Sequence, residues 1–118
     1  MTEHVRRSSA LPCLVLPLGA AIALASGTGE AQDVAALFAR HGCTTCHADA
    51  ETVAAPAYID IAAKHRGDPK AAATLRNVVR KGAHGEGIWP MPPLPEVPDA
   101  DARKMVAYIL ALKPLPKR

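Results

Sequence analysis

Two thiols and an imidazole stand together in the run Cys43-Thr44-Thr45-Cys46-His47. The spacing is C-x-x-C-H, the pattern that attaches a c-type haem. Each thiol can bond one vinyl group of the same porphyrin, and the following histidine presents its imidazole to the iron. Covalent anchorage and one axial ligand would then come from five consecutive residues.

Three other chemistries use similar residues. A dithiol redox pair belongs in a βαβ setting, and no β-branched run precedes Cys43. A zinc site needs further ligands, usually a second close pair. Here His65 and His84 are isolated, and the remaining cysteine is Cys13. A disulfide between Cys43 and Cys46 would close a very small ring and gain little by loop closure. A haem site outranks all three.

With His47 on one face of the iron, the candidates for the other face are Met91, Met105, His65, His84 and His41. Met105 lies on an apolar helical stripe, where a methionine packs the core. His41 is too near the motif to reach the opposite face. His65 and His84 are expected to face solvent. Met91 sits between Pro90 and Pro92. It can fill an apolar gap, or it can present a thioether already held in place by its stiff flanks.

The elements that must position these groups are helical. Asp33 is placed to cap a first helix bearing Val34, Leu37 and Phe38, and Gly42 stops it before the motif. A short helix is expected from about Ala57 to Lys64, with Gly67 beyond it. Asp68-Pro69 offers a cap and a first-turn proline to a third helix carrying Ala71, Ala72, Leu75, Val78 and Val79, which Gly82 ends. Asp99 is placed to cap a last helix with Met105, Val106, Ile109, Leu110 and Leu112, stopped by Pro114. Residues 82–98 hold Gly82, Gly85, Gly87 and five prolines, too broken for regular structure. No convincing strand is present. The expected class is all-α, three to four short helices wrapped around one covalent haem.

The N-terminus reads as a secretory leader over residues 1–31. It has a positive start at Arg6 and Arg7, an apolar run from Leu11 to Ala25, and small residues after it. Ala25, Gly27 and Ala31 are the candidate cleavage positions. The apolar run is short for a membrane span and holds Pro12 and Pro17, so stable insertion is not expected. Cleavage removes Cys13 and leaves the two motif cysteines. The domain at 32–118 is small and would have a thin core, which a large apolar cofactor would complete. The formal net charge is +3. A cut after Ala31 leaves it unchanged, because Glu3 and Glu30 depart with Arg6 and Arg7. That charge is too small to indicate nucleic-acid binding.

The mature chain as a whole resembles a small bacterial class I cytochrome c, of the group that donates electrons to nitrite reductases and terminal oxidases. Phe38-Ala39-Arg40-His41-Gly42-Cys43 is similar to the end of that family's first helix, and Pro90-Met91-Pro92-Pro93 to its methionine loop. The resemblance implies Met91 as the second axial ligand. In Ala55-Pro56-Ala57-Tyr58 it implies that the Pro56 carbonyl accepts a hydrogen bond from His47. It also implies that Tyr108 packs on Phe38. An aromatic residue of the family, often Trp, bonds a haem propionate. Trp89 is the residue of that kind here, in a loop one or two residues shorter, and Arg76 and Arg80 are the basic residues available to assist.

The function implied is a soluble, monomeric, periplasmic carrier of one electron on haem c, with no enzymatic activity. Its partners would be redox proteins such as a membrane cytochrome complex and a terminal oxidase or nitrite reductase. The rivals are a haem subunit of a larger exported oxidoreductase, a haem protein with an open site for catalysis or gas binding, and a carrier tethered by an uncut leader. Lys64, Arg66, Lys70, Arg76, Arg80 and Lys81 form a basic stretch that would serve as a docking face or as an ordinary solvated surface.

Overall fold

A computed structural model describes residues 28–84 and 89–115. The leader's positive start and apolar run, with Ala25 and Gly27, lie outside those residues. So do Gly85, Gly87 and Ile88 of the broken loop. Among the described residues the regular elements are four α-helices and a 3₁₀ turn. They are α1 (Thr28–Arg40), the turn Cys43–Thr45, α2 (Tyr58–Lys64), α3 (Ala71–Lys81) and α4 (Asp99–Ala111). No helix among them is long and apolar enough to cross a membrane.

Helix α4 is the hub, packing against α1, α2 and α3. Its Ala102, Met105, Val106 and Ile109 are buried, spaced at three and four residues as one helical face requires. Leu37 and Phe38 of α1, Tyr58 of α2 and Val97 before α4 complete a core cluster with three of them, Ala102, Met105 and Ile109. Ala102 is fully enclosed, and its small side chain permits close approach of α4 to its neighbours.

Helix starts differ from the sequence expectation at three places. Helix α1 begins at Thr28, so Asp33 is an interior residue and not its cap. The helix-forming Ala31 and Gln32 extend it upstream, and Glu30 in the first turn suits the positive end of the helix dipole. At α3, Asp68 does accept a bond through its Oδ1, from the Lys70 N–H at 2.8 Å. Regular α geometry nevertheless starts at Ala71, beyond Pro69. At α4 the capping position is Pro98, and Asp99 is already helical. Its carboxylate instead accepts from Arg103 Nε at 2.6 Å and Arg80 at 3.2 Å. Those guanidinium groups, Arg103 first, hold Asp99 below the usual carboxylate range.

Candidate functional site

The motif begins where α1 is forced to stop. Gly42 adopts φ 73°, a left-handed conformation that costs glycine little. The chain then turns tightly, and Cys46 and His47 donate their backbone N–H groups to the Cys43 carbonyl at 3.2 and 2.9 Å. Both cysteines are half-buried and neither is in a disulfide. Burial pushes the Cys43 thiol above its ordinary range. That is the opposite of the shift that a reactive redox dithiol needs.

A second segment straps the turn in place. Ala54 and Ala55 donate to the Cys46 carbonyl, and Tyr58 and Ile59 donate to the carbonyls of Ala48 and Asp49. Within this strap, His47 Nδ1 lies 2.7 Å from the Pro56 carbonyl oxygen. A carbonyl only accepts, so Nδ1 carries the proton and Nε2 keeps its lone pair. The imidazole is further held by stacking. Tyr58 lies 5.3 Å from His47 between ring centroids, and Phe38 lies 4.6 Å from Tyr58. Tyr108 closes the series edge-on to Phe38 at 5.6 Å. Its hydroxyl donates to Asp49 at 2.8 Å.

Met91 is held by different means. It forms an isolated antiparallel bridge with Ala83. Met91 N–H donates to the Ala83 carbonyl at 2.9 Å, and Ala83 N–H to the Met91 carbonyl at 3.1 Å. Leu94 N–H donates to Val79 of α3 at 2.9 Å, which fixes the far side of the proline run. Gly82 makes the approach possible. It sits at φ 76°, and a Cβ there would overlap the Met91 carbonyl oxygen and stand 3.0 Å from Pro93 N. Neither the bridge nor this role of Gly82 was expected from sequence, where Gly82 served only to end a helix. The one signal present was a glycine and a proline run bracketing the methionine.

Three cavities, of about 310, 70 and 110 Å³, share His47 and Met91 in their walls. Cys43 lines the second and third, and Cys46 the third. Leu75, Val78 and Ile61 give the first two an apolar wall between the two ligand candidates. This cleft fits haem c on the chemistry of its donors: two thiols on one edge, an imidazole with an available nitrogen, a thioether, and apolar surface for the macrocycle.

The other axial candidates each border one of these cavities, in different settings. Met105 is 2 % exposed and belongs to the core, although it also borders the second cavity. His41 is tied through Nε2 to Asp101 of α4 at 3.0 Å. His65 is half-buried rather than solvent-facing, as the turn after α2 folds it onto the first cavity. His84 is exposed and lines the same cavity. Trp89 is 70 % exposed at the rim of the first and third cavities. Arg80 is engaged by Asp99, and neither it nor Arg76 lines a cavity of the cleft.

Known proteins match this arrangement along most of the chain. The family model described as cytochrome c oxidase, cbb3-type, subunit III matches residues 29–109. Cytochrome c-551 of Allochromatium vinosum is 47 % identical over 76 residues, covering 62 % of this chain and 79 % of that protein. Cytochrome c-551 of Pseudomonas aeruginosa is 35 % identical over 105 residues, covering 86 % and 98 %. The crystal structure of wild-type cytochrome c552 from Nitrosomonas europaea superposes with a TM-score of 0.64 at 40 % identity, covering 67 % of this chain and 99 % of that one.

Proposed function

The chain belongs to the cytochrome c family, as a small class I monohaem electron-transfer member with covalent haem c, and we propose that His47 and Met91 are the two axial ligands of its iron. When bound, the haem supplies one-electron chemistry at iron. The observation that carries the proposal is the convergence of His47, Met91 and the motif cysteines on one set of cavities.

The chain's own residues divide the work. Cys43 and Cys46 anchor the cofactor. His47 offers Nε2 because Pro56 holds its Nδ1 proton, and that bond raises the basicity of the ligand. Met91 offers a soft thioether, which raises the reduction potential relative to a second histidine. The apolar walls act in the same direction by disfavouring the additional positive charge of the ferric form. With His47 and Met91 both holding the iron, no position would be left on it for substrate, and the protein would act as a carrier and not as an enzyme. Carbon monoxide added to the reduced holoprotein tests this directly. Negligible binding is expected; rapid binding would instead indicate an open catalytic or sensing site.

The leader directs the chain to the periplasm, where it moves electrons as a monomer between redox proteins. A membrane cytochrome complex is the donor expected, and a terminal oxidase or nitrite reductase the acceptor. Cleavage after Ala25 or Gly27 would leave α1 whole, whereas a cut after Ala31 would remove its first turn; the mass of the mature protein distinguishes them. Lys70 and Lys81 are exposed and serve in this proposal to steer an acidic partner. Electron transfer should then slow as salt rises, and Lys70→Glu and Lys81→Glu should flatten that dependence.

A further inference from the structure

Haem carries its two vinyl groups on adjacent pyrroles and its two carboxylates on the opposite pair. The edge bonded to cysteine and the edge bearing the propionates must therefore lie at opposite ends of the cleft. The cavities are divided in just this way. Cys43 and Cys46 line the smaller two, and neither lines the one of about 310 Å³. The large cavity, which still shares His47 and Met91, is thus the end that would receive the carboxylates.

Hydrogen-bond donors gather there from two elements. Lys64 ends α2 and His65 follows it directly, while Thr74 faces them from α3. Asp68 lies 3.9 Å from His65 Nδ1, beyond hydrogen-bond distance, so an imidazole N–H of His65 can still be directed to an acceptor in the cavity. We propose that Lys64, His65 and Thr74 bind the haem propionates, in place of Trp89, Arg76 or Arg80. Arg80 is held by Asp99, and Arg76, whose buried Nε has no hydrogen-bond partner, lines none of the three cavities. Trp89 projects into solvent and touches the cysteine end as well. The Lys64 ammonium, with the His65 and Thr74 donors beside it, would offset the carboxylate charge near the iron and keep the ferric form from being over-stabilised.

This inference rests on the haem being held between His47 and Met91, and the test separates the two. In the reduced wild-type holoprotein, nuclear Overhauser contacts are measured from the propionate methylene protons. Contacts to the His65 ring, the Thr74 methyl or the Lys64 chain are expected. Contacts confined to Trp89, Arg76 or Arg80, or to none of these residues, would overturn the assignment even with the ferric sulfur-to-iron band intact. Absence of that band would instead overturn the ligand pair. The midpoint potential supplies a second readout. It should fall in Lys64→Met, recover in Lys64→Arg, and stay unchanged in Arg76→Gln and Arg80→Gln. A potential indifferent to Lys64→Met but moved by either arginine variant would reverse the proposal.

Discussion

The two sides of the cleft are built on opposite plans. On the histidine side the ring itself is gripped. His47 is bonded to Pro56, the turn is bonded to Ala54 and Ala55, and the ring is backed by Tyr58. On the methionine side the restraints are backbone contacts between segments joined by a loop. Met91 is clamped to Ala83, and Leu94 to Val79. Side-chain chemistry holds the histidine, whereas main-chain geometry holds the methionine. Substitutions should therefore act on the two sides by different physical routes.

Removing either anchor tests the histidine side most severely. Cys43→Ala or Cys46→Ala should reduce the yield of holoprotein sharply, and the remaining haem should be extractable by acid. The apoprotein should be poorly folded, because the haem would complete the thin core of a small domain. Retention of covalent haem at wild-type yield in both variants would separate the motif from attachment.

The methionine side should break at a residue with no side chain. Gly82→Ala forces an L residue into φ 76° and ψ 178°, an extended positive-φ conformation that costs about 1–3 kcal/mol, and its methyl group overlaps the Met91 carbonyl. The Met91 clamp should open, weakening the ferric sulfur-to-iron band and admitting imidazole to the iron. Gly67→Ala provides the comparison. Gly67 has φ 80° but nothing within 4 Å of a Cβ, so that variant should lose stability and keep the band. Equal loss of the band in both variants would remove the steric role of Gly82.

A smaller effect is expected where α4 meets the motif. His41 bonds Asp101 across the junction of α1 and the turn. Asp101→Asn should cost about 1 kcal/mol in denaturant unfolding and leave the band untouched. Tyr108→Phe should cost less, since the bond to Asp49 is exposed. That bond, more than burial, raises the Tyr108 pKa. A phenol with a raised native pKa contributes stability that is complete below its unfolded value near 10 and is lost as pH rises through the native value. The difference between wild type and Tyr108→Phe should therefore be constant at neutral pH and shrink only in alkali.

The same division explains what could be read from sequence. The motif, the Pro56 partner and the contact of Tyr108 with Phe38 all follow from short spacings or from a family resemblance that those residues carry. The helices were legible from their apolar stripes, but their starts were not. Asp33 and Asp99 have the chemistry of caps, yet α1 extends upstream through good helix formers and Asp99 is taken by arginines. The proline frame around Met91 was visible, but its pairing with Ala83 was not. A two-bond bridge has no hydrophobic alternation to announce it, and Gly82 looked like any helix terminator. His65 looked solvent-facing because its burial depends on how the turn after α2 folds over the cleft.

The ligand pair is tested most directly by the long-wavelength spectrum of the ferric protein. The sulfur-to-iron charge-transfer band is measured in wild type, Met91→Ala and Met105→Leu, the last a swap that conserves core volume. The band should be present in wild type and in Met105→Leu and absent in Met91→Ala, whose iron should then bind added imidazole. Persistence of the band in Met91→Ala, or its loss in Met105→Leu alone, would contradict the assignment of Met91 and place the ligand in the core of α4.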